Sequence, residues 1–215
     1  MDRVRMLRLC WKPAVFILCL MPLFIIGAKL YGVGGNLGAN PVETLQDHFG
    51  QWGLRFILIT LSVTPLRKIS SWMWLVRFRR MLGLFGFFYV LMHFMVWLLL
   101  DQHLLLPAIL EDIVKRPFIT LGMLSLVMLT ALAATSTMAA RRRLGRRWQI
   151  LHNAIYLIAI LGVWHYWWQV KKDITEPFEY ALVLTAVLGY RLWDRRKQRS
   201  HLKHKVSAPS STEAA

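Results

Sequence analysis

Acidic residues are scarce in this chain: 11 Asp and Glu stand against 27 Lys and Arg, a formal net charge of +16. Charge of either sign is also thin overall, at 18% of residues, while 56% are hydrophobic. A soluble nucleic-acid-binding protein of that net charge needs a larger charged fraction, and the mean hydropathy of +0.43 excludes that reading. The same figures exclude disorder for the bulk of the chain. Only two cysteines occur, Cys10 and Cys19, in or just before an apolar run, so neither reads as half of an external disulfide. There is no C-x-x-C-H, so covalent c-type haem attachment is excluded. H-E-x-x-H, cysteine–histidine clusters and Ser/His/Asp or paired-carboxylate sets within the apolar runs are missing too. The Gly32–Gly38 stretch lacks the Lys-Ser/Thr ending of a phosphate loop. What remains is an integral membrane protein, and 215 residues allow one bundle rather than two domains.

Six apolar segments are drawn: 13–31, 50–64, 81–100, 118–138, 148–168 and 178–193. A bilayer core requires about 20 helical residues, and the second and sixth segments are short, the second also carrying Arg55. Asn40-Pro41, Thr64-Pro65, Arg116-Pro117 and Glu176-Pro177 read as helix stops and starts. Charge then orients the bundle. The N-terminus, the second and fourth loops and the C-terminal tail hold 21 Lys and Arg; the other loops hold 5, among them Lys171 and Lys172. The acids divide the other way, 8 outside and 3 inside. The positive-inside rule places both termini in the cytoplasm. The expected fold is all-α, a six-helix transmembrane bundle over residues 1–199, with residues 200–215 a polar, basic, disordered tail. The first run is long for a signal-peptide core and lacks a small-x-small cleavage site, so it is read as a span. No repeat of the solenoid kind is visible.

Seven histidines are present. His48, His103, His201 and His204 fall at edges or in the tail and read as solvated. His93, His152 and His165 fall inside spans, where ionisable groups are costly and mark function. For any one of them, the alternative is a neutral imidazole bonded to a neighbouring backbone. His93 is 13 residues past Arg80, about 20 Å of helix. His165 is 18 residues past Arg147, about 27 Å. Each is followed closely by an outer edge, at Asp101 and Lys171, so both lie in the outer half at similar height. Two facing neutral imidazoles form the axial pair of a b-type haem. Gly86 and Gly162, on the ligands' own helices, are expected either to let a flat porphyrin approach or to pack against a neighbouring helix. His152 lies nearer the cytoplasmic face and about 220° around the helix from His165. Three roles stay open for it: a second haem with another ligand type, a quinone contact, or packing. The run Arg141–Arg147 reads as a topology determinant or an anion contact. A proton-coupled carrier using the buried histidines and a transmembrane metal reductase subunit are the rival readings.

Several stretches carry a family resemblance: G-N-L-G-A-N-P-V-E at Gly35–Glu43, L-R-F at Leu54–Phe56, T-P-L at Thr64–Leu66 and R-R-M-L-G-L at Arg79–Leu84. R-P-F-I-T-L-G at Arg116–Gly122 and L-G-R-R-W-Q-I-L-H-N at Leu144–Asn153 complete the set. With these, the chain resembles the MsrQ (YedZ) family, haem-binding membrane subunits of bacterial periplasmic methionine-sulfoxide reductase systems, within the ferric-reductase-like transmembrane group. The resemblance implies an inner-membrane electron-transfer subunit, with substrate catalysis on its partner. It implies haem b on His93 and His165, with His152 a third functional histidine and a second haem left open. It also implies an FMN association, without a site on named residues. The implied partner is a periplasmic molybdenum-cofactor enzyme that reduces methionine sulfoxide in oxidised proteins. The implied donor is the quinone pool or a cytoplasmic flavin reductase.

Overall fold

The computed structural model describes residues 7–170 and 173–207, and side chains only where the placement allows. Lys171, Lys172 and residues 208–215, the end of the expected tail, lie outside the described residues, as do the side chains of His201 and His204. Among the described residues, all regular structure is helical. In order, the helices are α1 (Lys12–Leu30), α2 (Pro41–Ser70), α3 (Arg79–Val96), α4 (Leu106–Lys115), α5 (Pro117–Ala134), α6 (Met138–Leu144), α7 (Arg146–His152), α8 (Ala154–Gln169) and α9 (Thr175–Ser207). A π-helical turn, Leu7–Trp11, leads into α1; a 3-10 turn, Met73–Phe78, leads into α3, and a π-helical turn, Trp97–Asp101, extends it. α9 runs past the boundary expected at 199, and the start of the expected tail is therefore helical as far as Ser207.

Among the described residues, four helical stretches are long and apolar enough to cross a membrane: Leu9–Leu30, Met73–Asp101, Pro117–Ala134 and Arg146–Gln169. α2 and α9, at 30 and 33 residues, exceed the needed length but hold no 18-residue stretch meeting the same limits of hydropathy and charge. Packing explains the composition of α2. It buries two faces, Leu54, Ile57, Leu58 and Leu61 against α5, α8 and α9, and Leu45, Phe49 and Phe56 against α1 and α3. A helix surrounded by other helices does not need a lipid-soluble surface. Its Arg55 is tied by Nε to Tyr180 Oη at 2.7 Å and by Nη2 to Gln51 Oε1 at 3.2 Å, over the Trp52 ring.

Local sequence sets the helix ends. Asn40 caps α2, its side chain accepting from Glu43 N at 3.3 Å while its amide donates to Glu43 Oε2 at 3.0 Å, with Pro41 next in line. Thr64-Pro65, expected to stop that helix, does not: α2 continues to Ser70. Proline has no N–H for the carbonyl four residues back, which leaves Leu61 O without its helical donor. Arg191 of α9 fills the gap, Nη2 donating to Leu61 O at 2.6 Å while Nη1 donates to Tyr156 Oη at 2.6 Å. Arg191→Met keeps the apolar stem and removes this donor. It is expected to cost about 1–3 kcal/mol, the penalty for a buried carbonyl left unpaired. In a Pro65→Ala background, which returns the N–H, that cost should shrink; chemical unfolding of the four proteins in detergent measures it, and an unchanged cost would refute the pairing.

In lipid, packing and hydrogen bonds replace water exclusion as the force between helices. The antiparallel α2–α3 seam shows how. A Cβ at Gly53 would lie 2.6 Å from Val90 Cγ2 and 3.1 Å from Val90 N, and one at Gly86 would lie 3.3 Å from Ile57 Cγ1. One at Gly83 would meet Thr60 Cγ2 at 3.7 Å. Glycine thus sits on one side of each pairing, and each step along α2 is matched by the same step back along α3. Tyr89, fully buried, donates from Oη to Cys19 O at 2.8 Å and fastens α1 to this pair. Outside it, Asp112 of α4 accepts from Trp97 Nε1 at 3.0 Å and pairs with Arg116 at 3.0 Å.

Candidate functional site

The same seam ends at His93. Continuing the α2–α3 register one step outward from Gly53 and Val90 brings Gly50 opposite His93. On the other side of the bundle, α5 and α8 bring Gly122 opposite His165. The two imidazoles then face each other, ring centroids 6.1 Å apart and planes at 86°. Each ring is fixed by its inner nitrogen. His93 Nδ1 lies 2.8 Å from Gln46 O and His165 Nδ1 lies 2.7 Å from Phe118 O. A carbonyl only accepts, so both Nδ1 atoms carry the proton and both Nε2 lone pairs are free.

That arrangement suits one metal between two rings. A metal–imidazole bond of about 2.0 Å on each side, added to imidazole ring radii of about 1.1 Å derived from ~1.33 Å ring bonds, calls for centroids about 6.2 Å apart. The observed 6.1 Å fits. The backbone acceptor behind each ring is the usual support of a metal-bound histidine. Among the described residues no cluster of three or more His, Cys, Asp or Glu could hold a metal ion, so a metal held by these two rings would have to bring its remaining ligands with it. A porphyrin does so.

Around the rings lies a cavity of about 1020 Å³. Leu54, Ile57, Leu129 and Ile158 form its apolar inner wall, and Gly162 and Gly122 line it. Its mouth carries Glu43, Asp47, Asp101 and Asp173 with Lys115 and Arg116. Burial, and then the neighbouring Glu43 and Glu176 carboxylates, push the Asp47 carboxyl above its ordinary range. The size and apolar floor suit a flat apolar macrocycle. A polar strut closes one side: Gln51 Nε2 donates to Tyr166 Oη at 3.2 Å and to Glu176 Oε2 at 2.9 Å, and Tyr166 Oη donates to Glu176 Oε2 at 2.5 Å.

The third histidine is elsewhere. His152 does not line the cavity. It stacks on Trp148 with centroids 4.0 Å apart at 24°. Its Nε2 lies 3.1 Å from Thr135 Oγ1, whose own proton goes to Ala131 O at 2.7 Å. His152 Nε2 is therefore the donor, the opposite tautomer from the other two rings. His48, expected to be solvated, is half-buried and donates from Nε2 to Pro22 O at 3.0 Å. Of the two glycines on the ligands' own helices, Gly162 lines the cavity and meets Leu54 Cδ1 at 3.4 Å, while Gly86 packs on Ile57 and Phe56. Gly50 and Gly122 face the rings instead, from the neighbouring helices, where intrahelical spacing gives no sign of them.

A family model described as ferric reductase like transmembrane component matches residues 49–163. The chain is 42% identical over 205 residues to a protein-methionine-sulfoxide reductase heme-binding subunit MsrQ of Xanthomonas euvesicatoria pv. vesicatoria, covering 94% of each. It is 48% identical over 186 residues to the subunit of that name from Azospira oryzae, covering 86% of this chain and 79% of the relative. With that of Bordetella parapertussis it shares 45% over 192 residues, 86% of this chain and 91% of the relative. No solved structure matches the chain significantly.

Proposed function

The chain belongs to the ferric-reductase-like transmembrane family and, within it, to the MsrQ subunits, and from that membership we propose that it binds haem b and carries electrons across the bacterial inner membrane to a periplasmic reductase. The observation that carries the reading is the His93–His165 pair, two rings at 6.1 Å with both Nδ1 atoms engaged by backbone carbonyls. When bound, haem supplies one-electron redox chemistry.

The protein's part is to hold and insulate. His93 and His165 would hold the haem between them, and with both rings engaged it would serve electron transfer rather than small-ligand binding. Gln46 O and Phe118 O fix their tautomers and raise their basicity as ligands. The Leu54, Ile57, Leu129 and Ile158 wall keeps water from the inner side of the cavity. α2 and α9 serve as the fifth and sixth spans, with both termini cytoplasmic, following the asymmetry of Lys and Arg. This puts the cavity mouth on the periplasmic side and His152 near the donor. The donor is the quinone pool or a cytoplasmic flavin reductase, with FMN as an associated cofactor. The acceptor is a molybdenum-cofactor enzyme that reduces methionine sulfoxide in proteins.

Reducing one sulfoxide to a thioether takes two electrons and two protons and releases water. A one-electron carrier must therefore deliver twice per sulfoxide. The reading is tested by mixing the pre-reduced full chain in nanodiscs with the periplasmic reductase and methionine sulfoxide. Reoxidation at two reduced haems per sulfoxide is expected. A carrier that stays reduced, while the reductase accepts electrons from a dye, would refute this acceptor.

A further inference from the structure

We propose that Gly50 and Gly122 are a matched pair of positioning residues for the two axial histidines, a role that rests on the haem reading above. A helical carbonyl points along the axis toward the N–H four residues later. A ring that donates to carbonyl i therefore lies over residue i+4, where a Cβ would project. Both histidines use this geometry. His93 bonds Gln46 O and lies over Gly50; His165 bonds Phe118 O and lies over Gly122.

The clearances are tight. A Cβ at Gly50 would be 2.9 Å from His93 Nδ1 and 3.1 Å from Cε1. A Cβ at Gly122 would be 3.1 Å from both Nδ1 and Cε1 of His165. Moving the ring aside lengthens or bends the bond from Nδ1, and that bond sets where Nε2 points. A methyl group at either glycine therefore turns or lifts the ring out of line with its partner. The closer contact makes Gly50 the more sensitive of the two.

The two seats are copies of one device. In each, 47 residues separate the ring from its acceptor carbonyl. A single 72-residue step carries Gln46 to Phe118, Gly50 to Gly122 and His93 to His165. α2–α3 and α5–α8 thus present two like seats on opposite sides of one site. What repeats is a backbone acceptor, a missing Cβ and an imidazole, and only the last two are visible as residue types.

The test uses the full chain, loaded with haem in detergent or nanodiscs, as wild type and as Gly50→Ala, Gly122→Ala and Gly189→Ala. Gly189 has nothing within 4 Å of a Cβ and serves as the control. Wild type and Gly189→Ala are expected to be low-spin and to refuse carbon monoxide when reduced. Gly50→Ala and Gly122→Ala are expected to keep haem on the remaining ligand, turn high-spin and bind carbon monoxide. Low-spin, carbon-monoxide-resistant glycine variants would overturn the proposal and leave the haem reading standing. A wild type without haem would overturn both. A second measurement removes the tether. In a His93→Gly background, free imidazole takes the ring's place, and adding Gly50→Ala is expected to weaken imidazole binding about tenfold, or 1.4 kcal/mol. Equal affinity with and without the added methyl would overturn the seat even if Gly50→Ala alone fails to fold.

Discussion

His93→Ala and His165→Ala are each expected to abolish the low-spin bis-imidazole spectrum while the protein still folds. Removing one ring would take away one iron ligand, and no other His and no Cys lines the cavity to replace it. The contrast with ordinary packing is large. If these rings were only interhelical hydrogen bonds, each alanine would cost about 1 kcal/mol of stability and leave the optical spectrum unchanged. Gln46 O and Phe118 O keep their helical donors in the variants, so no carbonyl is orphaned. His48→Ala and His152→Ala serve as comparisons, because the first ring is spent on Pro22 O and the second on Thr135 and Trp148. Both should keep the outer-site spectrum. Retention of that spectrum in His93→Ala or His165→Ala would remove the residue concerned from the site.

The second large effect is expected at Gly53. Its Cβ would meet not only Val90 Cγ2 at 2.6 Å but Val90 N at 3.1 Å, so rotating the valine does not relieve the contact and α3 itself must retreat. Overpacking of this kind costs about 1–3 kcal/mol. It also has a functional consequence, because Val90 lies one helical turn before His93. Gly53→Ala is expected to lower the unfolding temperature and weaken haem retention together. Adding Val90→Ala removes the nearer of the two clashes and should restore part of both losses. Thermal unfolding and haem dissociation of the single and double variants provide the check. A Gly53→Ala protein with wild-type stability and haem retention would show that the seam has slack, and that the height of His93 is set elsewhere.

How legible this was in the sequence depends on the kind of signal. Helical class and the four apolar spans follow from composition alone. His93 and His165 stand out because a buried ionisable group is rare, and residue counts from the flanking charges put them at one height; the helices bring their ring centroids to 6.1 Å with the planes at 86°. α2 was the harder helix. It packs on two sides, so its sequence lacks the apolar run that lipid contact demands, and Arg55 obscured it until Tyr180 and Gln51 appeared as partners. Pro65 reads as a stop, and nothing local says otherwise; the donor that keeps α2 intact comes from Arg191, far along the chain. The glycines at the site were sought on the ligands' own helices, at Gly86 and Gly162, where spacing can be counted. Gly50 and Gly122 lie across an interhelical register, which a single sequence does not encode in any periodic form.

The central claim is that two facing imidazoles bind one haem. It is tested most directly by the oxidised and reduced optical spectra of the wild-type full chain after haem-replete expression, with haem counted per chain and carbon monoxide added to the reduced form. The account predicts a low-spin b-type spectrum that carbon monoxide does not change at the outer site. A colourless protein would contradict it, and so would a haem that is high-spin and takes up carbon monoxide at every site.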